Sequence, residues 1–166
     1  MLFSIKSYLL FLLKSTNHHG VHSPFVFEFV TKCLYNGSNK SGFKTLNVLL
    51  KSVGYFKPEN IEIRANTKFE AILQEEYPKL VFNRFPLDFI YLQNPDITYM
   101  TEILSGDKVH NESMILIANI HKNAQNLRNW RSIAQENNFR VSIDMFYCGA
   151  LFVRQEQVKE HFTIRI

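Results

Sequence analysis

Apolar residues recur at helical spacing in the opening stretch, at Leu2, Ile5, Leu9, Leu12 and Leu13, which predicts a helix ending near Thr16. The polar run "STNHHG" breaks the pattern. Ser23-Pro24 then predicts a second start, because serine accepts a hydrogen bond from an orphan amide and proline at the first helical position loses nothing by lacking one. That helix runs through "PFVFEFVTKCLY" and stops at Asn36-Gly37; after the loop "SNKSG", "FKTLNVLLKSV" predicts a third, with Gly54 as its cap.

From here the period changes. Ile61 and Ile63 alternate as in a short strand, and Thr67 with Glu70 reads as a capping box opening a helix that Pro78 closes. "LDFIYLQ" (87–93) and "SMILIANI" (113–120) are continuous apolar runs, the mark of strands buried on both faces, and "DITYMTEILSG" between them predicts a short helix. A longer helix carries Leu127, Trp130 and Ile133 on one face. "FRVSIDMF", "GALFVR" and "HFTIRI" finish the chain as strands, and the short link between the last two predicts antiparallel pairing. Strands alternating with helices predict an α/β sheet with helices on both faces.

Composition narrows the classes. A chain of 166 residues with 46% hydrophobic content fits one globular domain. The net charge of +4 permits nucleic-acid contact only if the basic residues gather on one face; they are scattered along the sequence, so no nucleic acid is expected as partner. Cys33 and Cys148 are too far apart for a C-x-x-C motif and too few for a disulfide framework, which suits a cytoplasmic protein. The apolar run from Tyr8 to Leu13 ends at Lys14 without a small-residue cleavage site and is far below the ~20 residues of a span. A helix docked on the domain, with no membrane span, is the expectation, and contact with a membrane surface its alternative.

His18, His19 and His22 raise the question of a metal. Gly20 interrupts their helical spacing and no carboxylate or cysteine lies close in sequence, so a shaped loop is expected, with no metal. In open α/β sheets ligands lie beyond the carboxyl ends of the strands. This rule singles out "QNPD" (93–96) and "ANIHK" (118–122), where Asp96 and His121 are candidates for acid-base work. A nucleotide-type cofactor also needs a glycine-rich turn after the first strand. None of the six glycines forms a G-x-G, and Arg64-Ala65-Asn66 stands where that turn belongs.

The opening "IKSYLLFLLKSTNHHGVHSPFVFEFVTKCLY" resembles the helical cap of a group of bacterial class I S-adenosylmethionine-dependent methyltransferases, in which an H-G-V-H-S-P-F-V-F-like loop enters the second helix. "LDFIYLQNPD", "SMILIANIHK" and "FRVSIDMFYCGALFVRQEQVKEHFTIRI" are similar, in order, to that group's later sheet strands. The resemblance implies an incomplete Rossmann-like methyltransferase sheet with an N-terminal helical cap: residues 1–54 as cap and 55–166 as α/β core, forming a single compact domain overall. Its implied cofactor is S-adenosylmethionine. His121, Asp144 and Gly149 match the family pattern, but Gln93 stands where an aspartate is expected, Ala118-Asn119 replace an acidic pair, and the stretch between Tyr55 and Leu87 is short for three strand-helix units.

Two expectations follow. The first is a degenerate, methyltransferase-like protein without catalysis and possessing an interaction or regulatory role. The second is an active transferase with a nonstandard pocket. In that case Asn94 and Asn119 would contact the cofactor, His121 and Asp96 would orient or deprotonate an acceptor, and the loop of His18, His19, Gly20, His22 and Ser23 would close over it. A shortened sheet also leaves an unpaired edge, which predicts a homodimer or a protein partner there.

Overall fold

The computed structural model describes residues 2–166. Helices α1 (Leu2–Lys14), α2 (Pro24–Glu28) and α3 (Lys44–Phe56) come first. They are followed by β1 (Asn60–Arg64), α4 (Thr67–Glu76), β2 (Val81–Phe82), β3 (Leu87–Leu92), α5 (Ile97–Leu104) and β4 (Val109–Ala118). The chain ends with α6 (Ala124–Gln135), β5 (Val141–Asp144), β6 (Cys148–Phe152) and β7 (Glu160–Thr163). The seven strands form one mixed sheet in the order β2-β1-β3-β4-β6-β5-β7. Only β6 runs antiparallel to its neighbours, and the strand order reverses between β1 and β3.

The continuous apolar strands are buried on both faces, as the sequence pattern requires. One face packs Phe89, Tyr91, Leu116 and Phe152 against Phe29, Leu49, Val53 and Leu73 from the early helices and α4. The other packs Ile90, Ile115, Ile117 and Leu151 against α5 and α6 through Met100, Ile103, Trp130 and Ile133. Asp88, next to the start of β3, accepts the backbone N–H groups of Glu59 and Asn60 at 2.7 Å each, tying the entry of β1 to its neighbour.

Several local expectations are corrected. The last two strands do not pair: β6 lies between β4 and β5 and uses both its edges, so β7 adds to the free edge of β5, in parallel. α3 continues past Gly54 to Phe56, and Lys57 supplies the left-handed end at φ 50° while its N–H bonds to the Val53 carbonyl. The cap of α4 is Asn66 rather than Thr67, its Oδ1 accepting the Phe69 N–H at 3.1 Å. α2 runs on into a π-helical segment, Phe29–Leu34, before Tyr35. The two-residue strand β2 has too little alternation to be read from sequence.

The connection through the three histidines turns the chain past the sheet edge. Thr16 makes a parallel bridge to Ile164, donating its N–H to the Thr163 carbonyl at 2.9 Å. The chain then tightens into a single 3-10 turn over His18–Gly20. A Cβ on Gly20 would lie 2.9 Å from the Thr16 Cβ, so the small residue is required by close approach. Ser23 caps α2 through the Val26 N–H at 3.4 Å.

Candidate functional site

The carboxyl ends of β3 and β4, with α4 that follows β1, border a cleft of about 400 Å³, lined by Phe69, Tyr91, Gln93, Ala118, Asn119 and Tyr147 and by residues 42–45. This is the switch point of the sheet, where the general rule for open α/β folds places a ligand. Here the side chains bond one another. The Gln93 Oε1 accepts from the Asn66 amide at 2.7 Å and from the Tyr91 hydroxyl at 2.8 Å. The Asn119 amide donates to the Gln93 carbonyl at 2.9 Å, and the Asn126 amide to the Asn119 carbonyl at 2.9 Å. Burial pushes the Tyr91 phenol well above its ordinary pKa, so it stays a neutral donor.

The turn leaving β1 has no glycine. Ala65 occupies the left-handed region at φ 58°, a conformation in which its methyl costs about 1 kcal/mol or more. Arg64 lies over the Tyr99 ring at 4.0 Å, and Tyr99 donates its hydroxyl to Glu62 at 2.8 Å, which occupies the nearest carboxylate on β1. A dinucleotide-type or adenosyl ligand needs close backbone approach and an available acid at this place. The residues present do not fit that demand.

A second and larger cleft, about 660 Å³, opens between α1 and α6 over β5 and β7. At its end stands a buried chain of three residues. Ser7 Oγ lies 2.5 Å from His121 Nδ1, and His121 Nε2 lies 2.7 Å from Asp144 Oδ2. The other carboxylate oxygen accepts the Phe146 N–H at 2.9 Å. The tautomer that satisfies every group carries its proton on Nε2, donating to Asp144, while the Ser7 hydroxyl donates to Nδ1. The imidazole stacks on Phe146 at 4.8 Å between ring centroids.

Serine, histidine and aspartate are the residue types of a hydrolase triad, but the setting is different. Ser7 lies in the second turn of α1, where the backbone amides around it are already spent on helix hydrogen bonds. No donor of its own turn is left for an oxyanion. The chain of bonds instead pins α1 to the sheet.

The sequence candidates separate. His121 is buried beside the second cleft and Asn119 lines the first. Asn94 is exposed, its Oδ1 receiving the Asn126 amide at 3.3 Å. Asp96 is exposed and caps α5, accepting the Tyr99 N–H at 3.0 Å. His19, Gly20, His22 and Ser23 line neither cleft, and the side chain of His18 lies outside the described part of the structure. Among the described residues no group of three or more histidine, cysteine or acidic side chains is placed to hold a metal ion. Sequence reading missed Ser7 because its partner lies 114 positions away, and no local pattern marks such a pair.

Both cysteines are buried thiols. Burial raises Cys33 to about 12, and burial with the Asp144 charge raises Cys148 as well. In the folded protein neither is expected to react with a thiol-exchange reagent at neutral pH, and both should titrate after denaturation. Rapid modification of the native chain would contradict this packing.

No family model, curated protein or solved structure matches this chain.

Proposed function

We propose that this chain is a methyltransferase-like protein that has lost cofactor binding and serves a non-catalytic interaction or regulatory role. The observation that carries the reading is the closed network at the switch point. Asn66, Tyr91, Gln93 and Asn119 spend on one another the hydrogen bonds that a cofactor would need. The reversal of strand order at β1 and β3 is compatible with a Rossmann-like sheet and supports this reading. His121 and Asp96, the acid-base candidates of an active enzyme, are engaged in holding α1 and in capping α5.

The missing contacts set the scale. Each charge-assisted hydrogen bond lost is worth about 1.5 to 3 kcal/mol. Two or three of them take a micromolar binder to roughly millimolar or weaker. Titration calorimetry of the full chain with S-adenosylmethionine is therefore expected to show no saturable heat below millimolar ligand. Saturable binding in the micromolar range would overturn the reading.

A further inference from the structure

α1 is packed inside out. Its buried side chains, among those described, are Ser7 and Phe11, whereas Ile5, Leu9 and Leu13 are 55%, 56% and 84% exposed. These three stand at i, i+4 and i+8, one straight stripe facing away from the domain. Phe3, Leu10 and Tyr8 flank the stripe, all more than a third exposed, with Leu10 at the rim of the cleft between α1 and α6 and Tyr8 edge-on to Phe146 at 4.8 Å. Among these apolar positions the exposed Lys6 stands on the outer surface. Ser7 turns inward while Leu9 and Leu13 turn outward, the reverse of what burial against the domain alone would select.

Charge indicates what covers such a face. No aspartate or glutamate occurs before Glu28, while Lys6 and Lys14 both lie on α1. A second copy pairing α1 with α1 would bring lysines together with no acid on the helix to meet them. It would also rest on a single helix of 13 residues, about 20 Å long, a small contact beside the ~800 Å² per partner of a stable interface. An anionic lipid surface answers both points, since it accepts a narrow apolar stripe and is drawn to cations without needing a matched partner.

We infer that α1 is an interfacial helix that docks this protein, axis in the membrane plane, onto anionic bilayers. Ile5, Leu9 and Leu13 enter the acyl boundary and Lys6 meets the headgroups. α1 does not cross the bilayer; among the described residues no helix is long and apolar enough to do so. The Ser7–His121–Asp144 chain then acts as the bracket that holds the apolar stripe outward. The inference goes beyond the loss of cofactor binding and stands on separate residues.

The test is vesicle flotation of the full chain with phosphatidylcholine alone and with added phosphatidylserine, at low and high salt. Binding is expected to be several-fold stronger with the anionic vesicles than with phosphatidylcholine alone, the difference shrinking as salt rises. The variant I5Q/L9Q/L13Q is expected to partition roughly 100-fold less, since each buried leucine side chain contributes strongly, and Lys6→Gln roughly five-fold less. These side chains are exposed, so both variants should keep the parent's circular dichroism and melting curve, which separates lost docking from lost folding. Equal binding by the triple variant, or none by the parent at millimolar lipid, would overturn the inference. So would a concentration-dependent dimer that the triple variant abolishes while vesicles leave the parent unbound, because α1 would then be covered by a second copy.

Discussion

Replacing Gly149 by alanine is expected to destabilise the protein by about 3 to 5 kcal/mol and to lower its melting temperature by about 10 °C. Gly149 lies in the middle of β6, with a backbone φ that any residue could adopt; its requirement is space. A methyl there would stand 2.3 Å from Trp130 Cη2 and 2.6 Å from Cζ2 and Cζ3, far inside contact distance. Neither side can yield cheaply. β6 is held on both edges, opposite Ile117 of β4 and Asp144 of β5, and Trp130 is 1% exposed in the core beneath α6.

The ring must therefore leave its slot or α6 must lift. Trp130 is the single tryptophan of the chain, so its emission reports the event directly, and a red shift is expected together with the lower melting temperature. The variant W130F/G149A removes the colliding benzo atoms and should recover roughly 1 to 2 kcal/mol relative to additivity of the two single changes. An unshifted spectrum and unchanged melting in G149A would refute the packing.

The fold was largely legible in the pattern, and the reasons for the exceptions are physical. "LDFIYLQ" and "SMILIANI" announce β3 and the buried half of β4 because strands covered on both faces need no polar alternation. The start of β4 at Val109 was not legible, since His110–Glu112 carry polar side chains where β6 does not pair with the strand. The partner of β7 could not be read from a short connecting segment, because pairing depends on which strand edge is free, a property of the assembled sheet. The absence of a glycine turn at Arg64-Ala65-Asn66 was visible in the letters. That Asn66 and Gln93 would bond each other across 27 positions was not. α1 shows the sharpest limit: its apolar residues are spaced all around the helix, so spacing alone could not reveal that Ser7 faces inward and Leu13 outward.

Replacing His121 by alanine should both destabilise the domain and loosen α1. The change removes the donor to a buried carboxylate and the acceptor of a buried hydroxyl in one step. It also deletes the ring that stacks on Phe146 at 4.8 Å and meets the Phe11 edge at 6.1 Å. Losing a buried aromatic ring together with a hydrogen bond to a buried carboxylate costs about 3 to 5 kcal/mol, part of it from the carboxylate left unpaired. A chain of this size then melts about 10 °C lower. Asp144 keeps only the Phe146 N–H, so neutralising it should help: H121A/D144N is expected to regain roughly 1 to 2 kcal/mol over His121→Ala alone, whereas simple loss of ring packing predicts no recovery. Because Ser7 and Phe11 are the buried side chains of α1, and both meet His121, tryptic cleavage after Lys14 should accelerate by more than the global stability loss accounts for. Cleavage that merely tracks global unfolding, together with no rescue by Asp144→Asn, would show that α1 is held by something other than this chain of three residues.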